Sequence, residues 1–412
     1  MLHPRRHSQN RRQFLKTTAG AATAGLISAG TRAETGNEPL RLGIIGCGQR
    51  GVWLGHLFQE HTATRVVALA DYFQDRLDEG AERLEVPADQ CFHGLEGYRK
   101  LLDCELDAAA IISPPCFHPE QTVAALEAGK HVYLAKPIAA DVAGCRDIAR
   151  AAAAVKGKLS ILVDFQTRNN PSYRQAAAHV RDGAIGVPVC GQAYYHTSRL
   201  NPKGAPEGAA GRLRNWVFDK ALSGDIIVEQ NIHVIDVANW MMGARPVAAT
   251  GAGGRRVRTD IGDCWDHFIV TYRYPDGGLI DFSSSQFATG YNDLCTRIYG
   301  SEGTLDTHYG GSVELESRST RWIGEKTSQI YLEGAVNNIL DFHKSIAENQ
   351  PLYILDDAID STLTSILGRI AAYEGRTITW DEMIEANERL PLHLDLPEDG
   401  PWRPAFPDRA NA

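Results

Sequence analysis

At 412 residues the chain is longer than one ordinary core supports and points to two domains. Hydrophobic residues at 43%, charged residues at 23%, 39 Gly and 19 Pro describe a globular protein and exclude collagen, coiled coil and low-complexity disorder. A net charge of −9 offers no broad attraction to phosphate backbones or anionic bilayers, which sets nucleic acid aside and favours small-molecule chemistry.

The chain opens with Asn10-Arg11-Arg12-Gln13-Phe14-Leu15-Lys16, runs through an Ala/Gly/Thr-rich stretch to Gly30 and reaches a small-residue cleavage pattern at Thr31-Arg32-Ala33. This resembles a twin-arginine export signal over residues 1–33, cleaved near Ala33, so the expected destination is the periplasm or another exported compartment. The stretch is too weakly apolar to span a bilayer, and no membrane anchor is expected. Residues 1–33 carry six of the 42 Lys/Arg and no Asp/Glu, so their removal leaves 36 basic against 51 acidic residues. Because this route carries folded proteins, it also hints at a cofactor loaded before export.

Residues 34–158 read as a dinucleotide-binding Rossmann domain. From Leu40 an apolar strand runs into Gly46-x-Gly48-x-x-Gly51, with Gln49 and Arg50 inside the fingerprint, and then into a helical pattern. Gly46 suits a tight turn, Gly48 lets backbone approach a pyrophosphate, Gly51 lets helix and strand pack closely, and the helix N-terminus offers free N–H groups. The next strand, Arg65 to Asp71, ends on a carboxylate 25 residues after Gly46, placed to hold the adenosine ribose hydroxyls. An acid there favours NAD; Arg76 nearby keeps NADP open, and a helix cap is the structural alternative for Asp71. A strand from Asp107 leads to Pro114-Pro115 and His118, a helix from Gln121 to Ala128 closes at Gly129, and a strand from His131 leads to Lys136-Pro137. Alternating strands and helices imply a parallel sheet with ligands at the strands' carboxyl ends, where all these residues fall. A lysine at such an end, partly desolvated near a positive nicotinamide ring, is expected to exchange protons near neutrality.

Residues 159–395 read as a second, substrate-binding domain, with 396–412 as a tail. It opens near Leu159 with Ser160 to Gln166, then Arg168, Asn170-Pro171 and a helix Tyr173–Arg181. Strands Gly191–Ser198, His267–Tyr274 and Leu279–Ser284 follow, the last two joined as a hairpin through Asp276-Gly277. An amphipathic helix over Asp356–Tyr373 is expected to pack back on the first domain. The segment Ser223 to Trp240 carries the densest chemistry: if helical, Glu229, His233, Asp236 and Trp240 share one face. An imidazole suits acceptance of a hydroxyl proton. The Glu229/His233 pair is also half of a metal site, but no third ligand stands at a telling spacing and no metal is expected. Gln166, Arg168, Arg214, Asn215, Trp216 and Asn231 are candidates to line a carbohydrate site, Trp216 as a stacking platform. Eight cysteines without a Cys-x-x-Cys pair read as buried apolar residues, not a zinc site or disulfide framework.

Together, the fingerprint at 46–51, Ala70-Asp71, Pro114-Pro115-x-x-His118, Ala128-Gly129-Lys130-His131-Val132, Lys136-Pro137 and Glu229-x-x-x-His233-x-x-Asp236 resemble the Gfo/Idh/MocA family over residues 40–385. The resemblance implies an α/β fold, a Rossmann domain followed by an α+β domain with a large open, mostly antiparallel sheet, and a homo-oligomer. It implies cofactor contacts at Pro115 and His118, and it sets Lys136 beside the nicotinamide and the substrate hydroxyl. Ala135 stands where the family has a Glu before this lysine, so its usual charge partner is missing. Glu229 and His233 would flank the substrate carbon, with Glu where the family has Asp. The expected activity is hydride transfer between a secondary alcohol of a sugar, glycoside or cyclitol and tightly bound NAD. Lys136 or His233 takes the proton and Glu229 orients His233. The rivals are a redox-assisted glycosidase, using oxidation, elimination and hydride return, and a non-catalytic dinucleotide or sugar sensor; intact Lys136 and His233 argue against the sensor.

Overall fold

The structure, a computed structural model, describes residues 38–397; the segment 1–33 expected to be an export signal and the tail beyond 397 lie outside the described residues. Six strands form the first sheet: β1 Leu40–Ile45, β2 Thr64–Asp71, β3 Cys91–His93, β4 Ala108–Ile111, β5 His131–Leu134 and β6 Ile161–Val163. All are parallel, in the order β3-β2-β1-β4-β5-β6. Helices cover both faces, which is why β4 reads Ala-Ala-Ala-Ile and is buried throughout. The strand order reverses between β1 and β4, and a crevice opens there at the carboxyl ends. Because β6 pairs with β5, the first sheet extends through Val163, past the expected boundary at 158.

The second sheet holds nine strands: β7 Pro188–His196, β8 Ala248–Gly254, β9 His267–Arg273, β10 Leu279–Ser285, β11 Asp293–Gly300, β12 Gly303–His308, β13 Val313–Ser317, β14 Arg321–Ile323 and β15 Thr377–Thr379. Their order is β14-β13-β12-β11-β7-β10-β9-β8-β15, antiparallel except for β7 with β10. The β9–β10 hairpin turns through Asp276 and Gly277, both at positive φ (59° and 86°), which suits a short turn between twisted strands. Alternation along β9 buries Phe268, Val270 and Tyr272 and exposes Ile269, Thr271 and Arg273, so one face is core and the other is open.

Two long helices cover the inner face and tie the sheets together. Ile232–Met242 and Leu355–Glu374 pack on the second sheet, and the latter also packs on helix Val142–Val155 of the first. The helix Ile330–Ala347 was not anticipated as a bridge. Its Phe342 meets Phe58 and Tyr133 edge-on, with centroids 6.3 and 5.7 Å away, and so returns the chain onto the fingerprint helix Gln49–His61. Fully burying such a ring contributes about 1.5–3 kcal/mol. All eight cysteines are free thiols; Cys47, Cys145, Cys264 and Cys295 are buried as expected, but Cys91, Cys104 and Cys116 are half-buried and Cys190 is exposed, so the buried apolar reading holds for four of the eight. No described helix is long and apolar enough to cross a membrane.

Candidate active site

The fingerprint loop is built by contacts that admit no side chain at two positions and leave the third open. Gly46 has φ +98° and a Cβ there would lie 2.6 Å from the Ile112 carbonyl carbon; a Cβ on Gly51 would lie 1.9 Å from Gly46 O. A Cβ on Gly48 would meet only Arg76 Nη1, at 3.8 Å. The loop therefore presents bare backbone to a cleft of about 360 Å³, lined by Gly46 to Gly51, Asp71, Tyr72, Ser113 and Pro114 among others. The helix behind it begins at Gln49 with no side-chain cap, and the amides of Gln49, Arg50 and Gly51 stay free for an anion. Asp71 Oδ2 accepts the Cys47 N–H at 2.7 Å and Oδ1 accepts the Phe73 N–H at 2.8 Å. Burial raises its pKa, against Arg76 and those two amides, which favour the charge. The helix that follows begins after Phe73, so Asp71 does not cap it; its remaining lone pairs face the cleft. These groups fit a dinucleotide: bare amides for a pyrophosphate and an acid for ribose hydroxyls.

Beyond the cleft, the Lys136–Pro137 peptide is cis and Lys136 meets a partner that the sequence did not reveal. Its Nζ donates to Glu229 Oε1 at 3.1 Å and to the Glu229 carbonyl, with side chains only 15% and 14% exposed. Glu229 thus supplies the carboxylate absent at Ala135. This corrects its expected role, since no hydrogen bond joins it to His233. The single helix expected to carry both residues is broken: Ile226–Glu229 ends, Gln230 and Asn231 turn, and Ile232–Met242 begins anew.

His233 is half-buried between Phe165 and Tyr309, at centroid distances of 6.3 and 5.6 Å. Its Nδ1 is enclosed without a partner. Burial first, then the charges of Lys136 and Arg50, push its pKa well below the ordinary imidazole value, so the ring is neutral at physiological pH.

Several expected contacts land elsewhere. The Arg50 guanidinium pairs with buried Asp164 and donates to Tyr331 Oη at 2.6 Å, leaving its backbone amide, not its side chain, for the cofactor. Pro115 is buried and Pro114 lines the cleft instead. His118 is enclosed, its ring nitrogens 2.8 Å from the Pro137 and Ser113 carbonyls; it positions the loop that bears the site and does not face the cleft. Arg168 is taken by Asp236 (2.8 and 2.9 Å) and Asp357 (3.0 Å) and lies 4.7 Å over the Trp240 ring, so the Asp236 and Trp240 face is structural. Arg214 and Trp216 line the dinucleotide cleft, not a separate carbohydrate site. Asn215 is buried, accepting the Lys203 N–H at 2.7 Å and donating to Gly211 O at 3.0 Å. Gln166 is buried, donating to Asp164 and accepting from Tyr309 Oη at 3.4 Å, which puts it behind the His233 pocket. Asn231 is buried in the helix break, with Oδ1 unpartnered. Tyr309, Asp164 and Tyr331 surround the site without any sequence motif to announce them.

One grouping of metal-ligand types occurs among the described residues, Cys295, Asp306 and His308 on β11 and β12. There His308 Nδ1 lies 2.9 Å from Asp293 and Nε2 lies 3.4 Å from Asp306, and the pair of carboxylates, Asp306 first, pushes its pKa up to about 9. An imidazolium held on both nitrogens has no lone pair for a metal.

Comparison with known proteins agrees with this geometry. Residues 40–163 match the family model described as "Oxidoreductase family, NAD-binding Rossmann fold", and residues 173–306 match the GFO/IDH/MocA C-terminal domain. The myo-inositol 2-dehydrogenase of Thermotoga maritima is 24% identical over 360 residues, 84% of this chain and 100% of that protein. Inositol 2-dehydrogenase 3 of Saccharopolyspora erythraea is 28% identical over 275 residues, 65% of this chain and 72% of that protein. Among solved structures, the aldose-aldose oxidoreductase of Caulobacter crescentus complexed with glycerol superposes with a TM-score of 0.69 at 22% identity, covering 83% of this chain and 99% of that one. A levoglucosan dehydrogenase in complex with NADH and levoglucosan superposes at 0.67 and 20%, with the same coverage of 83% and 99%, and both show the same fold.

Proposed function

This chain belongs to the GFO/IDH/MocA family, as an NAD-binding oxidoreductase acting on CH–OH groups, and we propose that its substrate is a secondary alcohol of a sugar, glycoside or cyclitol. The observation that carries this reading is a neutral, unpartnered imidazole at His233 close to the Lys136–Glu229 pair, beyond the glycine-loop cleft. NAD, when bound along Gly46 to Gly51 and Asp71, supplies the hydride acceptor. With Nδ1 enclosed, His233 receives the hydroxyl proton at Nε2. Lys136, anchored by Glu229, donates to the same oxygen and stabilises the negative charge that develops on it. The Tyr309 ring beside His233 offers a face for a sugar, and relatives named for inositol and levoglucosan support that substrate class.

Export by the twin-arginine route belongs to the same proposal, supported by Arg11-Arg12 and Phe14-Leu15-Lys16. A homo-oligomer formed through the open face of the second sheet is supported by exposed Ile269, Leu279 and Tyr299. The full chain is tested with a panel of sugars, cyclitols and cleavable glycosides. An oxidised sugar with an equivalent of reduced nucleotide is the expected product. A free aglycone without net redox change would move the assignment to a redox-assisted glycosidase, and nucleotide binding without any product would move it to a sensor.

A further inference from the structure

A segment of the second half of the chain lines the cofactor cleft of the first. Lys203, Gly204, Leu213, Arg214 and Trp216 share that lining with the glycine loop and Asp71. The segment is shaped locally: Asn215 Oδ1 accepts the Lys203 N–H at 2.7 Å, which folds residues 203–215 into a closed loop around the short helix Gly208–Arg214. It is fastened to the first domain by Arg214, whose Nη1 and Nη2 each donate to Asp75 at 2.8 Å while the guanidinium lies 4.0 Å over the Phe73 ring. Behind it, Arg212 pairs with Asp219 and donates to His393 O at 2.8 Å, and Leu392, Leu394 and Leu396 pack with Tyr72 and Phe73. The loop is therefore braced on both sides of the cleft and not merely adjacent to it.

Two cations in this cleft form no ion pair among the described residues. Arg76 Nη1 is the nearest heavy atom above Gly48, and its guanidinium rests 5.0 Å over the Phe73 ring. Lys203 sits close enough to Arg76 that desolvation and that like charge lower its pKa, with Glu229 opposing. The carboxylates of the same lining attract Arg76 without bonding to it or to Lys203: Asp71 accepts two backbone amides, Asp75 pairs with Arg214 and Glu79 with Arg83. Like charges drawn together in a partly buried cleft are costly unless an anion lies between them.

We propose that residues 203–216 clamp the dinucleotide, with Lys203 and Arg76 as counter-charges to its pyrophosphate and the Arg214–Asp75 pair as the fastening. The inference rests on the NAD reading and adds to it a phosphate ligand from the second domain. The glycine loop offers a pyrophosphate only amides and a helix end; Arg76 on the same wall and Lys203 from the opposite wall add full charges, and the fastened loop slows escape.

The test uses calorimetric titration of nucleotide-stripped full-length protein with NAD⁺, ADP-ribose and adenosine. Lys203→Gln should weaken NAD⁺ and ADP-ribose about 10- to 100-fold, the worth of one charge-assisted hydrogen bond, leave adenosine unchanged, and be rescued by Lys203→Arg. Arg214→Gln should speed NADH release in stopped-flow fluorescence with an unchanged circular dichroism spectrum. Equal weakening of adenosine, or Lys203→Gln binding ADP-ribose like wild type, would overturn the clamp while leaving the cofactor assignment intact. Wild-type protein that bound neither NAD⁺ nor ADP-ribose would instead overturn the dinucleotide reading, and the clamp with it.

Discussion

Lys136 Nζ donates to Glu229 Oε1 across 3.1 Å, joining two residues 93 positions apart into the charge pair at the centre of the site. The pair makes Glu229 a positioning residue for the lysine and leaves His233 as the proton acceptor. Lys136→Ala and His233→Ala should each lower kcat about 10²- to 10⁴-fold, the range for a positioned acid or base, with NAD binding retained. Glu229→Gln should cost less, about 1.5–3 kcal/mol in kcat/KM, and shift the pH–rate profile. Steady-state kinetics with nucleotide titration checks all three; a His233→Ala enzyme with wild-type kcat would return the proton to Lys136.

The fingerprint glycines should separate by phenotype. Gly46→Ala places a Cβ against Ile112 at a φ of +98°, so it should lower stability by about 1–3 kcal/mol. Gly48→Ala meets only Arg76 at 3.8 Å, so it should unfold like wild type and yet lose NAD affinity. Denaturant melts beside nucleotide titrations make the comparison, and parallel effects in the two variants would contradict it.

Arg168 should behave as a structural residue. Asp236 is fully buried, and removing its bidentate partner leaves an unpaired charge, so Arg168→Ala should cost about 3–5 kcal/mol of stability. The fraction that folds should keep a wild-type KM; a raised KM with normal stability would restore Arg168 to the substrate site.

Two histidines should shape stability against pH in opposite directions. Burial depresses the His118 pKa to about 4, so its contribution is full above the unfolded value near 6.5 and is lost as pH falls towards 4. The carboxylates of Asp306 and Asp293 raise His308 to about 9, so its contribution is full below about 6.5 and is lost as pH rises through 9. Thermal unfolding at stepped pH should show His118→Gln flattening the acid limb and His308→Gln the alkaline limb.

Local chemistry made half of this protein legible in its sequence. A strand, three glycines at fixed spacing and a carboxylate at the next strand's end specify a dinucleotide cleft, because each acts through backbone within a few residues of itself. Alternation along β9 and the Asp276-Gly277 turn likewise specify a half-exposed hairpin. The catalytic pairings were not legible in that way. The face of Glu229, His233, Asp236 and Trp240 presumed one unbroken helix, and the turn at Gln230 and Asn231 sends Glu229 to Lys136 while Arg168 claims Asp236 and Trp240. Nor does any spacing foretell that Lys203 and Arg214 cross to the other domain's cleft or that Phe342 returns to Phe58. Ion pairs and ring contacts between distant positions depend on where packing brings the chain, and that is decided only when both sheets and their bridging helices close on one another.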